Sequence, residues 1–295
     1  MRDDGTVHLD GTGVWSPQLR YADRPRVAEA ALELEELGYS AAWIPEGAAF
    51  PILEAAEALL RATRRMPVAT GILNVWQHEP AAVAATWTRL EDEHPGRFVL
   101  GLGISHPEIF PPGASNPYRR PVATLGAYVD ALASGGSRVP PQRCVLAALG
   151  PRMLRLAGER TAGAHPYLST PEHTATARAV LGADVLLAPE LAVVLERDPV
   201  RARSLARAHL ARYLDLPNYA NHLRRIGFGD ADLAGDGSDR LVDRVVAWGD
   251  ETAIAARVQE HRAAGADHVA VQVLGGPAEE PPLAQLRSLA PALCA

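Results

Sequence analysis

Polar and aromatic residues gather where short apolar runs end. The segment VATGILNVWQHEPAAVAATWTRLEDEHPGRFVLGLGISHP (68–107) holds two such tips: Asn74, Trp76 and His78 after the first run, Ser105 and His106 after the second. Asn74 carries both donor and acceptor groups, so it can meet the polar edge of a ligand or shape a loop. A histidine at 106 titrates near neutral pH; it can bond a ligand, exchange a proton or stand solvated. A third candidate is LGPRM (149–153). Gly150, Pro151, Arg152 and Met153 would open a helix whose first amides attract anions, with glycine letting a phosphate come close and Arg152 adding a charged hydrogen bond. The plain alternative is a helix start with proline at its first position. Gly163, His165 and Tyr167 end a further run and His173 opens the next helix; both histidines serve equally well as structural hydrogen-bonders.

Such tips need strands to carry them. Strand-like segments fall at 13–15, 41–44, 68–72, 98–102, 145–149, 163–167, 184–189 and 268–273, with helical patterns at 25–37, 52–64, 81–93, 121–133, 152–160, 174–181 and 253–264. Eight strands alternating with helices predict an α/β fold, a parallel (β/α)8 TIM barrel, with an open doubly wound sheet as the alternative. The polar tips would then share the carboxyl-end face, where barrels build chemistry. Gly38 and Gly265 stand where helix C-termini favour glycine, and Thr170-Pro171 reads as an N-cap followed by proline. Loops are expected at SGGSRVPP (134–141) and at GGPAEEPP near the C-terminus. The segment 198–249 is mostly helical and lies between the seventh and eighth strands, either covering the active face or adding packing alone. The whole of 1–295 reads as a single domain with this insertion.

Composition narrows the chemistry. The net charge of −6 argues against a nucleic-acid partner. All 29 basic residues are arginine, which excludes a lysine Schiff base and a P-loop. Cys144 and Cys294 lie far apart and imply neither a disulfide framework nor a zinc site. The histidines are scattered without an HExxH pattern, so no metal is expected, and GISHP lacks the G-x-S-x-G elbow of a serine hydrolase. No signal sequence or membrane-length apolar run is seen, so a cytoplasmic protein without a membrane partner is the default expectation.

Several motifs together resemble the luciferase-like flavin and deazaflavin oxidoreductases, most nearly the actinobacterial subgroup that uses coenzyme F420. They are ATGILNVW (69–76), HPGRFVLGLGISH (94–106), ALGPRMLRLA (148–157), GAHPYLSTPEHT (163–174), LPNYANHLRRIGF (216–228), SDRLVDRVVAWGD (238–250) and AGADHVAVQVL (264–274), in order along nearly the whole chain. The resemblance implies a TIM barrel with insertions, a homodimer, and hydride transfer between the deazaflavin C5 and a small organic substrate.

The resemblance also assigns roles. Gly71–Ile72 matches a non-prolyl cis peptide that backs the cofactor's central ring in relatives, and Gly150 to Met153 match the phosphate region. Asn74, Ser105, His106 and His165 would contact the cofactor. Trp15, Trp43, Trp76, Tyr118 and Tyr167 would surround the substrate. His106 and Glu46 are the candidate proton donors, although WIPEG (43–47) has an acidic residue without the histidine that several relatives place after strand two. An FMN-dependent two-component monooxygenase and a catalytically inactive binding barrel stay open as alternatives.

Overall fold

The computed structural model describes residues 6–47, 50–106, 120–277 and 279–294. Its strands are β1 (Gly11–Trp15), β2 (Ala42–Ile44), β3 (Val68–Thr70), β4 (Leu73–Asn74), β5 (Phe98–Gly103), β6 (Cys144–Leu146), β7 (Gly163–Ala164), β8 (Leu186–Leu187), β9 (Glu190–Leu195), β10 (Ala247–Gly249) and β11 (His268–Val273). They pair in the order β10-β9-β11-β1-β2-β3-β5-β6-β7-β8, with β4 beside β5, and every pairing is parallel. Helices lie between most of them, as a parallel sheet requires.

The run from β8 into β9 brings the sheet round on itself. On one side Ala188 N donates to Ala164 O (2.9 Å) and Glu190 N to Pro166 O (2.8 Å); on the other, Asp267 N donates to Leu187 O (3.0 Å) and Ala270 N to Pro189 O (2.9 Å). The seventh strand of the barrel thus runs past Pro189, where the sequence reading ended it. Proline has no N–H to give the ladder, but pairing resumes against β11. The apolar ELAVVL of β9 projects far enough to recruit β10 at Val193 to Leu195, a strand inside the insertion that sequence did not predict. The helix Leu283–Leu293, beyond the expected C-terminal loop, also went unpredicted.

Side chains alternate across the strands. Trp15, Trp43, Ala69, Val99, Val145 and Ala270 fill the barrel interior, while Val14, Ile44, Val68, Phe98, Leu100 and Val271 pack outward beneath the helices. The expected strand 68–72 is interrupted. Val68 pairs with Phe98 but Leu73 pairs with Leu102, so the first strand carries one more residue than the second between those pairs, a bulge. The Thr70 hydroxyl repairs the ladder there: it accepts from Gly101 N (2.8 Å) and donates to Gly101 O (2.7 Å). Only glycine fits opposite, because a Cβ on Gly101 would stand 1.8 Å from Thr70 O.

The insertion forms four helices, Pro199–Leu214, Pro217–Arg225, Asp230–Leu233 and Asp239–Val245. Ala202, Ala206, Leu210, Leu223, Leu241 and Val242 give it a core of its own against Leu168, Ala192 and Val194. No helix among the described residues is long and apolar enough to cross a membrane.

Candidate active site

The carboxyl ends of the strands open into a cavity of about 410 Å³, within the range of small-molecule sites. Its floor is the bulge. Gly71–Ile72 is a cis peptide, and both residues line the cavity. Trp15 Nε1 donates to Gly71 O (2.9 Å). A Cβ on Gly71 would lie 2.8 Å from that indole nitrogen and 3.1 Å from His165 Nε2, so a side chain here would displace both rings. His165 stacks on Trp43 at 4.2 Å and 11°, and Trp43 Nε1 donates to His268 Nε2 (3.0 Å). Burial pushes both histidines down to about 4, so the rings are neutral at physiological pH.

Beside the floor, Tyr167 is fixed by a partly buried network. Its hydroxyl donates to Gln272 Oε1 (2.9 Å) and lies 3.0 Å from the Tyr213 hydroxyl and 3.4 Å from His209 Nε2. Arg212 donates to His209 Nδ1 (3.0 Å), which leaves the neutral ring's proton on Nε2, facing Tyr167. The Glu190 carboxyl lies in the same region of the barrel interior. Burial pushes it up to about 8, and among the described residues its only hydrogen bond is from Leu168 N at 3.3 Å.

One rim carries Glu46. His78 Nε2 donates to Glu46 Oε2 (2.7 Å), Asn74 N approaches the same oxygen (3.4 Å), and Gly47 N donates to Oε1 (3.2 Å). The buried Arg20 holds this loop through the carbonyls of Gly47 (2.9 Å) and Phe50. Sequence missed His78 as a partner because the two residues lie on different loops, 32 positions apart.

Elsewhere on the cavity wall a helix start and a guanidinium come together. Gly150 caps the helix Pro151–Arg160, and the Arg225 guanidinium reaches to 3.8 Å from where a Cβ on Gly150 would stand. Arg225 comes from the insertion helix Pro217–Arg225, which also sends Asn218 and Asn221 to the cavity. His106 Nδ1 meets Asn218 Oδ1 at 3.1 Å, tying the strand-end loop to that helix. The insertion therefore covers the cavity. Asn218, Asn221 and Arg225 fall at i, i+3 and i+7, one helical face; that spacing was the signal available in the sequence.

Of the residues expected from sequence, Trp15, Glu46, Gly71, Ile72, Ser105, His106, Gly150, Met153, His165 and Tyr167 line this cavity. Five described ones do not. Pro151 and Arg152 are exposed on the outer side of the helix start, and Arg225 lines the cavity where Arg152 was expected. Asn74 is buried, its Oδ1 accepting from Trp76 N (3.2 Å) to close a turn. Trp76 donates its indole N–H to Ile104 O (3.1 Å). Trp43 lies wholly inside the barrel beneath His165. Tyr118 lies outside the described residues. Among the described residues no group of His, Cys, Asp and Glu could hold a metal ion.

The luciferase-like monooxygenase family model matches residues 6–268. The chain belongs to that family. Its fold is similar to an F420-dependent secondary alcohol dehydrogenase solved with an F420-acetone adduct (TM-score 0.73, 14% identity, 97% of this chain and 99% of that one). It is also similar to the coenzyme F420 dependent tetrahydromethanopterin reductase of Methanopyrus kandleri (0.69, 16%, 96% and 97%). A third likeness is to the oxygenating constituent of 3,6-diketocamphane monooxygenase of Pseudomonas putida, solved with FMN (0.65, 16%, 96% and 96%). No curated protein matches the chain in sequence.

Proposed function

We propose that this luciferase-like chain is an oxidoreductase that binds coenzyme F420 and moves a hydride between it and a small organic molecule. The observation that carries the reading is one cavity whose floor is the Gly71–Ile72 segment, with no side chain on Gly71, and whose wall joins the helix start at Gly150 to the Arg225 guanidinium. A flat ring bearing a phosphate tail fits that pair of features. The choice of F420 over FMN rests on the sequence motifs that resemble the F420 subgroup.

When bound, the cofactor supplies or takes up the hydride. The chain's own residues do the rest. The first amides of the helix Pro151–Arg160 and the Arg225 guanidinium hold the phosphate. The Gly71–Ile72 segment backs the ring. Trp15, Tyr167, Tyr213 and Tyr219 wall off water around the reacting atoms. Glu46 or His106 exchanges the proton that must accompany hydride transfer to or from a carbonyl, imine or alcohol. A homodimer in the cytoplasm remains part of this reading.

The test is turnover. Reduced F420 should be oxidised by members of a panel of small enones, ketones and imines, or oxidised F420 reduced by alcohols. The FMN-bound structural neighbour favours a second reading, a monooxygenase fed by a separate reductase. Oxygen consumption with reduced FMN and none of the F420 reactions would select it.

A further inference from the structure

The cavity floor holds a buried polar atom that the chain leaves without a partner. His165 Nδ1 is 2.6 Å from Ala188 O. A carbonyl oxygen only accepts, so Nδ1 carries the ring proton and Nε2 is a lone-pair acceptor. Burial keeps the ring neutral. Nε2 has no hydrogen-bond partner among the described residues, and its ring lines the cavity beside Gly71. The ring is held in this orientation by the Ala188 bond below and the Trp43 stack alongside.

Nearby donors are already committed. Trp15 gives its indole N–H to Gly71 O, and Tyr167 gives its hydroxyl proton to Gln272. A ligand oxygen without hydrogen would therefore meet a lone pair at the floor, whereas an O–H or N–H would satisfy it. A buried acceptor left unmatched opposes binding. Selection by hydrogen-bond complementarity of this kind is stronger than selection by apolar shape.

We propose that His165 Nε2 accepts a hydrogen bond from an O–H or N–H group of the deepest-bound ligand, so that the floor selects a hydrogen-bond donor over a bare carbonyl or carboxylate oxygen. The donor is supplied either by the imide N–H of a flavin-type ring or by the hydroxyl of a small alcohol. The inference rests on the cavity being the binding site of the proposed function.

The test uses the full chain labelled with 15N-histidine, wild type and His165→Phe; phenylalanine keeps a flat ring on Trp43 but removes the acceptor. Long-range 1H–15N spectra at pH 7 should show Nε2 of His165 unprotonated. Its resonance should move on adding F420, FMN or 2-propanol, and not on adding acetone, which has no O–H. Which probe moves it identifies the source of the donor. His165→Phe should weaken that probe roughly three- to tenfold, the range of one neutral hydrogen bond. A protonated Nε2 overturns the proposal, as does an unprotonated one that none of the three donors moves or that acetone moves equally. Should the variant fail to fold, the wild-type spectra still decide. Cofactors that bind by fluorescence without moving Nε2 would sink this proposal and spare the oxidoreductase reading. Movement by 2-propanol with no cofactor bound would do the reverse.

Discussion

The floor of the cavity and its roof are built by opposite means. The floor is strand-end backbone and rings fixed in the barrel interior: Gly71, Ile72, Trp15 and His165 are held by ladder bonds, stacking and one indole–carbonyl bond. The roof is one short helix, Pro217–Arg225, which buries Tyr219, Ala220, His222 and Leu223 and turns Asn218, Asn221 and Arg225 toward the cavity. A change in the floor must disturb the barrel. A change on the polar face of the roof can alter ligand affinity while the core beneath it stays packed. The floor thus fixes what fits, and the roof is where affinity can be adjusted at small cost to stability.

The largest expected break of this contrast lies in the floor. Gly101→Ala forces a methyl group against Thr70 O and severs the Thr70 bridge under the bulge. Overpacking of this kind costs about 3 kcal/mol or more, which urea unfolding would show as a lowered midpoint with unchanged slope. A fully stable variant would mean that the bulge relaxes freely.

Acid should act on floor and roof alike. Burial holds His165 and His268 down to about 4 in the floor, and His209 and His222 down to about 3 in the insertion. These folded values lie below the unfolded value of about 6.5. Their neutral rings therefore stabilise the fold fully above pH 6.5, and that contribution is lost as pH falls toward 4 and then 3. Unfolding midpoints measured from pH 7 to 4 should fall steadily; a flat profile would contradict the buried neutral rings.

Glu190 has the opposite sign. Its folded pKa is raised to about 8, so the folded state keeps a proton that the unfolded chain releases above about pH 4.5. The penalty grows as pH rises from 4.5 and levels off past 8. Glu190→Gln should consequently unfold at a higher temperature than wild type, by a margin that widens across that window. A margin independent of pH would show that the carboxyl is ionised in the fold.

In the roof, Arg225→Met should weaken a phosphate-bearing cofactor by about tenfold, the loss of one charge-assisted bond, with a melting temperature close to wild type. Arg152→Met should leave that affinity unchanged, since Arg152 is exposed and away from the cavity. Equal losses would return the phosphate contact to Arg152. The smallest effect is expected from Asn218→Ala, which removes the His106 partner at 3.1 Å; about 1 kcal/mol of stability is at stake.

The same contrast decides what could be read from sequence. Residues at the strand ends, in the floor and around it, were legible because polar tips follow apolar runs: Gly71, Ser105, His106, Gly150 and His165 each stand at or just past a strand end. Trp43 and Asn74 have the same sequence signature but point inward or bond locally, and alternation along three- and two-residue strands is too short to tell these apart. The barrel itself followed from alternating strand and helix patterns. Strands β9 and β10 did not, because their pairing is with each other and with β11, far away in sequence. The roof's residues were hidden for a related reason: a helical face shows its spacing, but which cavity it covers depends on how the insertion folds back.

The most direct test of the account is fluorescence titration of the purified apo protein with F420 and, separately, FMN. F420 is expected to bind at roughly micromolar or tighter, with FMN at least about tenfold weaker. Preference for FMN would contradict the deazaflavin assignment and make oxygen consumption the next assay. Failure to bind either would contradict the assignment of this cavity as a cofactor site.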